Sequence, residues 1–179
     1  GPPASVAPST TSGEAEPEPA GALARPPGRP PLEDPCAGPG GKTLRTLIVG
    51  NSQIYFQDLP RLLTDLSKSG PPTCPRIEAE GFTRGGQNLH RLWTGGDSLG
   101  RDLATTIRDG RYDVVVISES IDLVDIPPPK GYFDVYANRL IDAARASGAM
   151  PVLYVTPYAD QAGHWGFEQM AAPQLPLAR

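Results

Sequence analysis

The chain has 179 residues, 39% of them hydrophobic and 20% charged, with a formal net charge of −4; this make-up suits one folded domain carrying an unfolded extension. Its acidic balance, with sixteen Lys and Arg residues scattered instead of gathered into a stripe, argues against nucleic acid as a partner. No apolar run approaches the roughly 18 residues that a membrane span needs.

Residues 1–41 contain eleven of the 22 prolines and no aromatic side chain. Fixed proline φ angles, missing N–H donors and a lack of large apolar groups predict a disordered Pro/Ala/Gly-rich tail or linker. The sequence begins at Gly1, which fits loss of an upstream secretory signal and fits a fragment boundary or tag scar equally well. An extracellular or cell-envelope location is the expectation, with the cytoplasm as the alternative. Cys36 and Cys74 are the only cysteines. They either form one staple between tail and domain or remain two unpaired thiols.

From Lys42 onward strand and helix patterns alternate. "TLRTLIVG" (43–50) is a β-branched and leucine run that ends in glycine, as a buried strand does. In "DLPRLLTDLSKSG", Leu59, Leu62, Leu63 and Leu66 recur at helical spacing. Asp58 is placed to cap that helix, Pro60 is tolerated in its first turn, and Gly70 suits its end. "RIEAEGF" (76–82) predicts a weaker second strand, and the glycine turn "TRGGQN" leads from it into a helical piece around 89–93. Leu99, Leu103 and Ile107 recur at i, i+4 and i+8 until Gly110, so Asp97 and Ser98 are expected as helix N-caps. "YDVVVIS" (112–118) is the clearest strand. The following segment sets Phe133, Ala137, Leu140, Ile141 and Ala144 on one helical face, and "MPVLYVTP" (150–157) is a fourth strand. Such alternation predicts an α/β domain whose mainly parallel sheet, of about four strands, is covered by helices on both faces. Ligands of such sheets bind beyond the C-terminal ends of the strands.

Two serines compete for the role of nucleophile. Ser98 lies in "GDSL", the letters of a class of esterases, but no strand precedes it, so capping is the better reading. Ser52, in "LIVGNSQIYFQDLP", follows the first strand directly and precedes the first helix. Its hydroxyl is therefore expected at the C-terminal edge of the sheet, near the positive end of a helix dipole. Gly50 permits a close approach there, and the Ser52 N–H is a candidate oxyanion donor. The plainer alternative is that Asn51 and Ser52 merely complete a turn.

Gly-Asn-Ser after the first strand, Asp-Leu-Pro-x-x-Leu, "RGGQNL", "YDVVVIS" and "MPVLYVTP" occur in this order. Together they resemble the SGNH hydrolase superfamily, in the branch that has Gly-Asn-Ser for Gly-Asp-Ser, over about residues 43–160. The resemblance implies a flavodoxin-like three-layer α/β/α sandwich over residues 42–179. It also implies a serine ester hydrolase acting on acyl groups of carbohydrates or lipids, with Ser52 as nucleophile and Gly86 as an oxyanion donor. Asn51 and Asn88 are further candidates for contacts to the oxyanion or substrate.

Two departures stand out. Where the family commonly has an Asn after the third strand, this chain has Glu119 and Ser120, and a carboxylate facing the site would oppose developing negative charge. The family's Asp-x-x-His does not occur before Arg179, so the domain is expected to be C-terminally incomplete or divergent. His164, with Asp160 four residues before it, is the candidate substitute base. His90 is expected to be a packing or surface residue, and Trp165 and Phe167 to cover the sheet. The alternative function is a catalytically inactive SGNH-like binding domain or a truncated remnant. A phosphate loop is disfavoured, because neither Gly-x-Gly-x-x-Gly nor Gly-Lys-Ser/Thr follows the first strand. Two distant histidines and two loop cysteines lack the spacing of a metal site. No cofactor is expected, the partner is a small-molecule or carbohydrate ester, and the oligomeric state is left open.

Overall fold

The computed structural model describes residues 36, 41–119, 132–155 and 174–178, all within the compact unit Asp34–Arg179. Apart from Cys36 and Gly41, the proline-rich residues 1–41 lie outside the described residues, as do Ser120, Asp160, His164, Trp165 and Phe167. No helix among the described residues is long and apolar enough to cross a membrane.

The elements run β1 (Thr43–Gly50), α1 (Ser52–Tyr55), α2 (Leu59–Ser69), β2 (Arg76–Thr83), α3 (Leu89–Gly95), α4 (Leu103–Gly110), β3 (Val114–Ile117), α5 (Phe133–Ala146) and β4 (Met150–Leu153). The four strands form one sheet in the order β2-β1-β3-β4, and every pairing is parallel. This is the α/β architecture that the alternating pattern predicts.

Side chains alternate between the faces of a strand, and burial assigns each face its cover. Leu47, Val49, Phe82, Val115 and Ile117 point to one side and join Leu89, Leu92, Leu103, Ile107, Phe133, Ala137, Leu140, Ile141 and Ala144 in a single core. Helices α3, α4 and α5 thus cover that face, and α5 buries the five residues its periodicity singles out. The opposite face carries Ile48, which like Ile54 of α1 is fully buried. Toward β4 that face opens, with Val114 and Val116 half-buried and Met150, Val152 and Tyr154 exposed.

Helix α2 departs from the simple amphipathic reading. Gly70 ends it as expected, but no residue of α2 is fully buried, and Leu62 and Leu66 are exposed. Asp58 holds the N-cap position with φ 49° and makes no capping bond, its carboxylate lying 3.7 Å from Arg61 Nε instead. The helix binds β2 through hydroxyls. Ile77 N–H donates to Ser67 Oγ (2.9 Å) and Ala79 N–H to Thr64 Oγ1 (3.1 Å), while these hydroxyls donate back to the helix carbonyls of Thr64 and Pro60. Residues 77, 79, 81 and 83 face away from β1, so α2 closes the outer border of the sheet.

The loop before α4 completes that closure. Arg101 Nη2 donates to the Gly81 carbonyl (2.6 Å) and Ser98 N–H to the Thr83 carbonyl (3.1 Å). The expected helix caps therefore need correction. Helix α4 begins at Leu103, with Asp102 as its N-cap accepting from Thr105 N–H (2.8 Å). Asp97 instead caps the turn 97–101, which follows Gly96 at φ 71° and contains Gly100 at φ 74°, and Leu99 is 78% exposed. Gly100, in the left-handed region directly after Leu99, breaks the helical period before it reaches Leu103.

Cys36 and Cys74 form a disulfide across 38 positions. Beside it, Gly41 N–H donates to the Pro72 carbonyl (3.2 Å), and a Cβ on Gly41 would lie 1.9 Å from the Cys74 carbonyl oxygen. No larger residue fits there without moving backbone.

Candidate active site

From β1 the chain turns outward to β2, then returns across β1 to place β3 on its other side. The crossovers diverge at the β1/β3 boundary, where a doubly wound sheet opens a crevice beyond its strand C-termini. Ser52 follows β1 at that point, and Ser118 and Glu119 follow β3.

Asn51 leaves β1 in extended backbone, and its Oδ1 accepts from Gln53 N–H (3.0 Å). That bond starts α1, a single turn closed by Phe56 N–H donating to the Ser52 carbonyl (3.0 Å). Ser52 is thus the first helical residue, half-buried, directly after a buried cap. Gly50 is required just before it: a Cβ there would meet Ile54 Cγ1 at 2.6 Å and Ser118 Cβ at 3.3 Å. Ser118 N–H donates to the Val49 carbonyl (2.9 Å), which locks the two strand ends side by side.

The glycine turn reaches the same rim. Gly50 pairs with Thr83 at the end of β2, and Arg84 N–H donates to the Gly50 carbonyl (3.3 Å). Gly86 is exposed, has φ 64°, and has open space where a Cβ would stand. Its glycine is explained by backbone conformation and not by crowding. Gly85 is crowded, since a Cβ would lie 2.6 Å from the Tyr55 hydroxyl, so Tyr55 reaches from α1 onto this turn. Asn88 is buried and caps α3, its Oδ1 accepting from Arg91 N–H (2.9 Å). An oxyanion contact would draw on its Nδ2, so the two roles are compatible.

Glu119 is a residue whose part the sequence leaves undefined. It is buried, and both carboxyl oxygens lie 3.3 Å from the Leu89 N–H at the start of α3. The carboxyl is therefore aimed at a helix terminus, where negative charge is favoured.

Asn51 and Ser52 follow β1, the turn with Gly86 and Asn88 follows β2, and Glu119 follows β3, so all five lie beyond strand C-termini, whereas Asp160 and His164 lie outside the described residues. His90 is half-buried, with its ring centroid 4.7 Å from Tyr136 and 5.0 Å from Tyr132, a packing environment. No group of three or more His, Cys, Asp or Glu residues suited to a metal occurs among the described residues. A groove of about 460 Å³ runs between α2 and β2, bordered by Tyr55, Arg61, Thr64, Lys68 and Glu80. Ser52 does not line it; Tyr55 is its link to the rim.

No family model and no curated protein matches the chain. Among solved structures, a protein from Slackia heliotrinireducens, provisionally described as an SGNH hydrolase, superposes with a TM-score of 0.52 at 24% identity, over 75% of this chain and 71% of that one. A DUF4886 family protein from Bacteroides uniformis ATCC 8492 gives a TM-score of 0.47 at 17% identity, over 76% of this chain and 62% of its own. The first likeness establishes an SGNH-hydrolase-like α/β fold.

Proposed function

We propose that the domain is a serine ester hydrolase of SGNH type, with Ser52 as nucleophile and acyl esters of carbohydrates or lipids as substrates. The observation that carries this reading is the place of Ser52: the first helical residue after β1, half-buried, where the crossovers of the sheet diverge. In the reaction, Ser52 Oγ attacks the ester carbonyl carbon, and its proton passes through a base to the departing alkoxide. Water then takes the acyl group from Ser52, releasing the carboxylic acid and restoring the hydroxyl. The N–H groups of Ser52 and Gly86 and the Asn88 amide are the proposed oxyanion donors, and Asn51 holds the Ser52 turn. Asp160 and His164 are the proposed base pair. The Cys36–Cys74 disulfide supports an extracellular or cell-envelope setting, since such bonds persist in oxidising compartments.

The test is labelling by a fluorophosphonate probe together with turnover of a short-chain nitrophenyl ester. Ser52→Ala should abolish both, His164→Ala should lower turnover by about 10³-fold or more, and Ser98→Ala should change neither. Labelling that survives Ser52→Ala would overturn the nucleophile assignment. A wild-type chain that neither labels nor turns over would favour the binding-domain or remnant alternative.

A further inference from the structure

We infer that Glu119 is a positioning residue that holds the glycine turn 84–88 in register with Ser52; the inference rests on the reading of Ser52 as nucleophile. The turn is anchored at its start by Arg84 N–H on the Gly50 carbonyl. Its far end runs into α3, where the Asn88 side chain satisfies Arg91 N–H and Glu119 receives the N–H of Leu89. Glu119 extends from β3, which is itself tied to β1 by Ser118 N–H on the Val49 carbonyl. The turn is therefore clamped between the two strands that flank the crevice, with β1 holding one end and β3 the other.

The clamp acts on Gly86 through the chain on either side of it. It is exposed and in the left-handed region, with no neighbour within 4 Å of a would-be Cβ. A donor in such a turn is placed in large part by the anchors at the two ends of the turn. Removal of the carboxyl also leaves the Leu89 N–H, the first residue of α3, without this buried acceptor. A donor displaced by about 1 Å costs on the order of 10²-fold in rate, and the loss falls on the transition state, where the oxyanion forms. Glu119 thus serves the site through the start of α3, with its carboxyl engaged by the Leu89 N–H.

The full-length chain is tested as wild type, Glu119→Gln and Glu119→Ala, by fluorophosphonate labelling rate and by kcat and KM for a nitrophenyl ester. Hydrogen exchange at the Leu89 amide is measured alongside. Glu119→Gln keeps an acceptor oxygen and should stay within about 10-fold of wild type, whereas Glu119→Ala should lose about 10²-fold in kcat with KM little changed. Leu89 exchange should accelerate in the Ala variant and remain slow in the Gln variant. Equal loss of kcat in both variants, or a folded Ala variant with rapid Leu89 exchange and unchanged kcat, would overturn the positioning role while leaving Ser52 as nucleophile. Wild type that fails to label at Ser52 would instead sink the hydrolase reading, and this inference with it.

Discussion

Asp97 shows how much one buried carboxylate can organise. Only 4% exposed, it accepts from the N–H of Leu99 (3.0 Å), the N–H of Arg101 (2.9 Å) and Arg101 Nε (2.7 Å). Burial alone would raise its pKa, but the backbone and side-chain bonds from Arg101, that residue's charge and the Leu99 N–H hold it below the ordinary carboxylate value. The Thr105 backbone bond lowers Asp102, and the Lys42 side-chain bond lowers Asp113. A carboxylate depressed in the folded state binds fewer protons there than in the unfolded chain. Its contribution is therefore full above the ordinary carboxylate range and lost as pH falls through the folded value. The urea midpoint should stay level from about pH 7 to 5 and drop below about pH 4. Asp97→Asn should cost about 1–3 kcal/mol at pH 7 and make the acid decline shallower. An unchanged acid decline in that variant would remove Asp97 from the explanation. At this scale the capping role expected of Ser98 did not hold, since Asp102 caps α4 and the Ser98 N–H donates to the Thr83 carbonyl. Asp97 departs in the same way: a carboxylate that caps a turn and one that caps a helix look alike until the conformations of Gly96 and Gly100 are known.

Helices α5 and α2 mark the limits of periodicity. All five apolar positions expected on one face of α5 are buried, because that helix lies over the sheet and the core decides which residues turn inward. Helix α2 has an equally clear leucine pattern, yet its attachment is made by Thr64 and Ser67, polar residues that a hydrophobic template passes over. Two half-buried strand N–H groups depend on those hydroxyls. Thr64→Val with Ser67→Ala should lower stability by about 1–3 kcal/mol in urea unfolding, with little effect from Leu66→Gln, whose side chain is exposed. The reverse order of sensitivities would mean that apolar contact, and not the hydroxyl pair, fastens α2. The short α1 also escaped the sequence reading, since four residues are too few to establish a period.

Across the whole molecule, parallel order was legible because hydrophobic strands separated by helices leave few other ways to connect. The opening of one sheet face beside β4 was not, since Val114, Val116, Met150 and Val152 read as buried strand positions by composition alone. The pairing of the cysteines was equally open until Cys36 was placed against Cys74. That disulfide spans 38 positions, for which chain entropy gives about 4 kcal/mol of stabilisation. Cys36→Ser with Cys74→Ser, or reduction of the native chain, should lower the thermal midpoint by several degrees. Loss of less than a degree would place the staple outside the cooperative unit.

The bonds from Ser67, Thr64, Arg101 and Ser98 to the outer side of β2 also limit what copies of this protein can build. A fibre joined strand to strand needs every subunit to offer two docking margins, one for the neighbour ahead and one for the neighbour behind. Here one margin is already spent on the molecule's own groups, so any such joining must terminate at a pair.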